Sequence, residues 1–421
     1  MPASADRETR LQEHIQGCHA RARELLGASD SQVAEGLKLH RKLLVCDSFG
    51  FLPTVLSSAG VEQINRAIEQ HWDASEVQQL RLDVNATSTI YDEDAFAIYE
   101  HIFEVAGVNA TFTNAGCGPN IDYTLRCVAR FQHICDGLRD RWTKAIRAEQ
   151  AHQAFADGKR AMFFSANNPP SDAGFMDGYG QLYWLGAFHR FGFRMMHLTY
   201  NRRNWVGDGC MEEANGGLSD FGHAIVERMN ELGIIIDTPH TGTQTTLDAA
   251  RVSKAPIAAS HTVCRDLHDH PRGKYDGELR AIADTGGFVG ITCIPYFLAE
   301  RGTIVDLLDH IDHAIEVMGI DHVGIGTDVG FSAPPPDQPE TLPPPPGRAP
   351  WWSFWPEGTS STDPQVRAEN STGSLSWICW PYFTIGLMMR GYSEEDIAKI
   401  VGGNILRTCA DVEAAASLKC R

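Results

Sequence analysis

Three residues that are able to bind a metal ion stand at the ends of short apolar segments in this sequence. His240 closes the run IIIDTPH, His261 closes PIAASH, and Asp328 closes HVGIGTD. Neutral imidazole and carboxylate groups are the usual protein ligands of zinc and similar divalent ions. A single histidine at such a place is more often structural, but three residues together predict a metal-binding or catalytic cluster.

These runs belong to a set of eight apolar segments of strand length. Continuous apolar runs are typical of strands that are buried on both faces of a parallel sheet. Most of them are separated by helical patterns, of which Leu218–Gly233 is the clearest, with Ser219 as the N-cap and Gly233 at the end. This alternation predicts an α/β fold of the (β/α)₈ TIM-barrel type, in which function lies at the C-terminal ends of the strands. The predicted strands are Leu43–Phe49, Val108–Asn114, Arg160–Asn167, Phe193–Thr199, Ile234–His240, Pro256–His261, Gly287–Cys293 and His322–Asp328.

Composition and charge exclude several classes of protein. The 36 basic and 54 acidic residues give a net charge of −18, which argues against nucleic acid or an anionic membrane as the partner. No segment reaches the roughly 18–20 apolar residues of a membrane span, and the N-terminal residues do not resemble a secretory signal. The 11 cysteines form no C-x-x-C pairs and are interpreted as reduced thiols. We therefore expect a cytoplasmic protein that acts on a small molecule.

The chain is predicted to consist of a barrel with extensions. A proline-rich segment, Ala333–Pro350, cannot form a helix or a central strand, and the aromatic cluster Trp351–Pro356 follows it. This loop is either a lid over the site or a surface excursion held by its tryptophans. The predicted units are an N-terminal helical extension (1–42), the barrel (43–410) with a helical insertion (61–104) and the Pro/Trp-rich loop (331–376), and a C-terminal tail (411–421).

Several longer motifs carry a resemblance to a known family. They include GLSDFGHAIVERMNELGIIIDTPH, APIAASHT, DHVGIGTDVG and RGYSEEDIAKIVGGNILR. These motifs resemble the membrane (renal) dipeptidase family, peptidase family M19 of the amidohydrolase superfamily, from about Lys159 to Arg407 and more weakly near Leu43–Pro53. The resemblance implies a barrel of the metal-dependent hydrolase type, a two-zinc site that hydrolyses dipeptides, and a homodimer.

The resemblance also implies roles for individual residues. His240 and His261 fall on the family's histidine ligands of the fifth and sixth strands. Asp328 falls on the aspartate of the eighth strand, which moves the proton and touches a metal. Arg272, in HPRGKYD, falls on the arginine that binds the substrate carboxylate. Tyr200 replaces a histidine that contacts substrate, where its hydroxyl is able to donate a hydrogen bond, or it is a plain packing residue.

Other positions depart from the family pattern. The first strand of the family supplies a histidine and an aspartate to one metal, and here Phe49 and Phe51 stand in their places. Alternate residues of a strand share a face, so both rings are predicted to point to where that metal would lie. Asn167 replaces the bridging glutamate of the third strand. Ile294 replaces a substrate-binding tyrosine, for which Tyr296 is a nearby substitute.

One interpretation is a dipeptidase-like hydrolase that uses at most one divalent metal. His240 and His261, with Asn167 or Asp328 and water, would hold one zinc ion in a site with an open position. Asp328 would act as the general base, and Arg272 would bind a substrate carboxylate. The substrate would be a small amide, either a dipeptide or an N-acyl amino acid.

Two other interpretations remain open, and in both the protein binds no metal. The barrel is then either an enzyme that performs acid–base chemistry on a small carboxylate or a binding protein that has kept the fold. An apolar pocket shifts pKa values and so permits new acid–base roles. Asp47 is predicted to share the face of the two phenyl rings, one layer deeper. The acid–base groups of the metal-free enzyme would be His240, His261, Asp328, Asp47 and Tyr200.

Overall fold

The strands of this protein form one parallel sheet that curves into a barrel. The computed structural model describes residues 2–116, 121–170, 178–336 and 355–417. The strands are β1 (Cys46–Asp47), β2 (Ala110–Gly116), β3 (Trp142–Lys144), β4 (Arg160–Ala166), β5 (Phe193–His197), β6 (Ile235–Asp237), β7 (Ile257–Thr262), β8 (Phe288–Ile291) and β9 (Val323–Ile325). Their order is β1-β2-β4-β5-β6-β7-β8-β9, and β3 pairs with β4 outside this path.

Hydrogen bonds between the first and last strands bring the two edges of the sheet together. The backbone N–H of Ser48 donates to the carbonyl of Ile325 at 3.1 Å, and that of Asp328 donates to the carbonyl of Phe49 at 2.8 Å. These bonds confirm the predicted (β/α)₈ barrel. Because all the strands run in parallel, their C-terminal ends meet at one mouth of the barrel.

Helices precede the barrel, separate its strands and cover its outside. They are α1 (Pro2–Leu26), α2 (Asp30–His40), α3 (Ser58–Glu69), α4 (Ala74–Tyr91), α5 (Glu93–Ala106), α6 (Ile121–Gly137), α7 (Ala148–Ala156), α8 (Gly178–Phe191), α9 (Asp220–Leu232), α10 (Thr243–Val252), α11 (Asp276–Asp284), α12 (Pro295–Leu298), α13 (Ile304–Met318), α14 (Pro364–Glu369), α15 (Trp380–Met389), α16 (Glu394–Ala398) and α17 (Asn404–Ala415). α1 and α2 lie in the segment predicted as an N-terminal extension, and α3 to α5 span the predicted insertion. α17 continues past position 410, where the sequence placed the end of the barrel.

The clearest predicted helix is confirmed together with its caps. The Ser219 hydroxyl accepts a hydrogen bond from the backbone N–H of Gly222 at the start of α9. Gly233 ends α9 in the left-handed conformation, with φ of 72°, which a glycine adopts without strain.

Strand limits differ from the sequence prediction. β6 ends at Asp237, so His240 lies in the turn that follows the strand and not at its last position. β1 ends at Asp47, and the chain bends at Ser48 and Phe49. β3 was not predicted, because three residues are too few to show a period. β6 and β1 both end, as hydrogen-bonded strands, at points that the apolar pattern of the sequence does not mark.

Residues 337–354 of the Pro/Trp-rich loop lie outside the described residues. Both interpretations of this loop, a lid over the site or a surface excursion held by its tryptophans, therefore stay predictions. Trp355, in the described part of the loop, stacks on Phe297 with ring centroids 5.8 Å apart. None of the helices in the described ranges combines the length and the apolar character that a membrane span requires.

Candidate active site

Three histidines meet inside the mouth of the barrel. His197 is the last residue of β5, His240 follows β6, and His261 lies in β7. Their ring centroids are 5.1–5.2 Å apart, and all three side chains are buried. The sequence prediction included His240 and His261 but missed His197. It lies inside the apolar run FRMMHLT, and a histidine within such a run was the available signal.

His240 and His261 face each other directly. Their Nε2 atoms are 3.0 Å apart, and Nδ1 of His240 lies 2.6 Å from the Oδ1 of Asn201. Burial lowers the pKa of both histidines well below the ordinary range, and the Arg272 guanidinium adds to this effect. Both rings are therefore neutral near pH 7, which is the form that binds metals or accepts protons.

Asp237 was also missed, and it connects two of the histidines. Its carboxylate accepts hydrogen bonds from the backbone N–H of Ser260 at 2.7 Å and from the Ser260 hydroxyl at 2.5 Å. The same hydroxyl lies 2.8 Å from Nδ1 of His261, and Nε2 of His197 lies 3.1 Å from Oδ2 of Asp237. His197, Asp237 and His261 each offer one potential metal-ligand atom, and these three atoms all lie within 4.8 Å of one another. A carboxylate in the middle of the strand IIIDTPH was the signal in the sequence.

Phe49 and Phe51 occupy the neighbourhood of the histidines. The Phe49 ring stacks on His261 with centroids 4.1 Å apart, and Phe51 lies edge-on to Phe49 at 5.8 Å. Neither ring offers a ligand atom. Oδ1 of Asn167 is buried and has no hydrogen-bond partner among the residues that the structure describes. The residues present therefore do not fit a two-metal site of the family type. The imidazoles of His197 and His261 and the carboxylate of Asp237 do fit one ion.

Asp47 does not belong to this cluster, although the sequence placed it on the face of the phenyl rings. Its carboxylate accepts hydrogen bonds from the Thr327 backbone N–H at 2.9 Å, the Thr327 hydroxyl at 2.6 Å and the Trp377 indole N–H at 3.1 Å. The prediction was wrong because alternation holds only in extended chain, and the chain bends directly after Asp47. Asp47 therefore fixes β1 to the segment after β9.

Asp328 stands at the mouth with a strongly shifted pKa. Its backbone has φ of 55°, an uncommon value for a residue with a side chain. Burial raises the pKa of its carboxyl group, Arg272 opposes this shift and the nearby Asp47 adds to it, and together they bring the pKa to about 7. A carboxyl group of this kind is able to accept and return a proton near neutral pH.

Arg272 is fully buried and holds the backbone around the histidines. Its guanidinium donates to the carbonyls of Pro239 and His261, the latter at 3.2 Å, and Nη2 lies 3.4 Å from Nε2 of His240. Its Nε has no partner in the part of the chain that is described. The predicted contact with a substrate carboxylate stays a prediction.

Replacing Arg272 is expected to reduce stability. Arg272→Lys should lower the free energy of unfolding by about 2–4 kcal/mol, because a single ammonium group cannot reach both carbonyls. Urea denaturation measures this difference. Arg280→Lys is the matched control, since Arg280 is exposed and pairs with Asp276 at 3.3 Å, and it should change stability by less than about 0.5 kcal/mol. Equal effects in the two variants would contradict the positioning role of Arg272.

The two predicted tyrosines lie in different surroundings. Tyr200 stacks on His240 with ring centroids 4.1 Å apart, so it touches the histidine cluster. Tyr296 donates its hydroxyl to the carbonyl of Thr359 and packs edge-on against His270. Burial raises the pKa of Tyr296, which keeps it protonated near neutral pH. Tyr200 is thus adjacent to the histidine cluster, whereas Tyr296 is bonded to the described end of the Pro/Trp-rich loop.

The fold is a parallel α/β barrel of the type that metal-dependent hydrolases have, with histidines and carboxylates at its C-terminal mouth. The sequence profile of the membrane dipeptidase family, peptidase family M19, matches residues 33–338. The chain belongs to this family. The family is metal-dependent and generally uses zinc.

Individual relatives agree with this assignment. The dipeptidase tcpJ of Claviceps purpurea is 27% identical over 303 residues, which cover 70% of this chain and 61% of tcpJ. This chain therefore spans about three fifths of the length of that relative. An amidohydrolase from Pseudomonas aeruginosa has a similar fold, with a TM-score of 0.65 at 24% identity over 90% of this chain and 98% of its own. A metallopeptidase from Rhodobacter sphaeroides, solved with a phosphinate mimic of the dipeptide L-Ala-D-Ala, has a TM-score of 0.62 at 17% identity over 88% and 99%.

Proposed function

We propose that this protein hydrolyses a small amide that bears a carboxylate, either a dipeptide or an N-acyl amino acid, with the help of one divalent metal ion. The observation that carries this proposal is the cluster of three buried histidines in the mouth of the barrel, whose ring centroids lie 5.1–5.2 Å apart. The Asp328 carboxyl group supports the proposal, because burial raises its pKa to about 7, which suits a general base. Family membership supports the reaction class.

The residues at the mouth of the barrel have separate roles in the proposed reaction. Asp328 accepts a proton from the attacking water and returns it to the leaving amine. Arg272, whose buried Nε–H group has no partner among the described residues, binds the substrate carboxylate, and Tyr200 contacts substrate from its place over His240. A divalent ion at the histidine cluster would polarise the scissile carbonyl and lower the pKa of water. Phe49 and Phe51 present apolar surface and so favour an apolar side chain in the substrate.

Metal content and turnover together test this proposal. The full chain, purified without chelator, is expected to contain about one zinc ion and to hydrolyse L-Ala-D-Ala, other dipeptides or N-acetyl amino acids. Hydrolysis should disappear with a chelator and return with added zinc. His152→Ala, at an exposed position, is a control that should keep both properties. A chain without metal and without turnover on these substrates would overturn the proposal.

Metal-free acid–base chemistry on a small carboxylate is the second candidate. It is favoured by the direct contact between His240 and His261, because a single shared proton would satisfy both Nε2 atoms. Chelator-resistant conversion of a small carboxylate, in a chain that contains no metal, is the result that would select it.

A further inference from the structure

His197 is a buried histidine without hydrogen bonds. Its side chain has no exposed surface, and neither ring nitrogen has a hydrogen-bond partner within the described ranges. Its contact with a charged group is with Oδ2 of Asp237, which lies 3.1 Å from Nε2. An unsatisfied buried polar group costs about 1–3 kcal/mol, so its presence needs a physical explanation.

His240, in contrast, is fully satisfied by protein atoms. Oδ1 of Asn201 can only accept, so Nδ1 of His240 carries the proton. The Arg272 guanidinium can only donate, so Nε2 of His240 presents its lone pair. That lone pair is already used, and His240 is therefore a poor candidate for a metal ligand.

The protonation of His240 fixes that of its neighbour. Nε2 of His261 lies 3.0 Å from the His240 lone pair and must carry a proton. The other nitrogen of the neutral His261 ring then presents a lone pair toward the Ser260 hydroxyl, at 2.8 Å. That hydroxyl has one proton, and Oδ2 of Asp237 competes for it at 2.5 Å. This buried region thus holds more lone pairs than protons, which is the environment that a cation satisfies.

We propose that His197, Asp237 and His261 bind one divalent metal ion of the zinc class. Their ligand atoms lie within 4.8 Å of one another on the adjacent strands β5, β6 and β7, and two imidazoles with one carboxylate are a common donor set for zinc. This inference rests on the proposed function, because it names the ligands of its metal ion. His240 becomes a positioning residue that orients the His261 ring.

The test compares metal binding by two histidine variants of the full chain. His197→Gln is expected to reduce zinc content, measured by mass spectrometry, by about tenfold or more, whereas His240→Gln keeps most of it. Far-UV circular dichroism and thermal melting report whether each variant is folded. If His240→Gln loses zinc while a folded His197→Gln keeps it, the ligand set is overturned and the one-metal hydrolase stands.

A second pair of variants gives a positive signal that misfolding cannot imitate. His197→Cys places a thiolate at the proposed ligand position, so the cobalt-loaded protein is expected to show a thiolate-to-cobalt charge-transfer band. His240→Cys is the matched control and should show no such band. A band in His240→Cys alone would overturn the ligand set. Absence of any metal from the wild-type chain would overturn this inference, and the hydrolysis assay then decides the proposed function separately.

Discussion

Asp328→Asn is expected to lower kcat for the preferred substrate by about 10²–10⁴-fold, the usual contribution of a general acid–base group. The amide keeps the size and shape of the carboxyl group but cannot accept a proton. Its backbone N–H group still bonds to the carbonyl of Phe49, so the barrel remains closed. The loss should therefore appear in kcat, with little change in thermal stability.

The pH profile distinguishes a general base from a residue that only shapes the pocket. Because burial raises the pKa of Asp328 to about 7, the active carboxylate form is present above that pH and is lost below it. In the wild-type protein, kcat/KM should rise with pH and level off above about pH 7. The residual activity of Asp328→Asn should not show this rise of kcat/KM with pH.

An exposed carboxylate provides the control for this substitution. Asp122→Asn, in the first turn of α6 with 80% of its side chain exposed, should leave both kcat and the pH profile unchanged. If kcat/KM of Asp328→Asn still rises with pH up to about pH 7, another group is the base. Tyr200 and the histidine cluster would then be the next residues to test.

Asp47→Ala is expected to lower the free energy of unfolding by about 3–5 kcal/mol. The substitution removes the acceptor for four buried donor groups, two on Thr327, one on Trp377 and the backbone N–H of Phe49. These donors have no access to water, so each loses a hydrogen bond without replacement. The closure of the barrel between β1 and the segment after β9 depends on this carboxylate.

Urea denaturation followed by circular dichroism measures the effect. Glu24→Ala is the control, since Glu24 forms an exposed ion pair with Arg21 at 3.3 Å and contributes less than about 0.5 kcal/mol. The structural role assigned to Asp47 would be wrong if the two variants unfolded at the same urea concentration. If Asp47→Ala kept its stability but lost turnover, Asp47 would instead have a catalytic role.

The sequence by itself determined the fold and part of the site. Apolar runs of strand length alternate with helical patterns, and eight such runs fit a parallel (β/α)₈ barrel better than a doubly wound sheet. Because strand ends gather at one mouth, His240, His261 and Asp328 were predicted to lie together from their places in the chain. Comparison of the first strand with the family motif also showed that its metal ligands are missing, because Phe49 and Phe51 stand in their places.

Only the tertiary structure decided which groups are in contact and which remain unsatisfied. His197 and Asp237 lie 40 residues apart in sequence, and they meet because the register of β5 and β6 places them side by side. Asp47 faces Trp377 because the chain bends directly after β1, and Arg272 is buried because two strand ends offer it carbonyl groups. Residue types and spacing indicate which chemistry is available, but hydrogen bonds between distant segments depend on strand register and on where each strand ends.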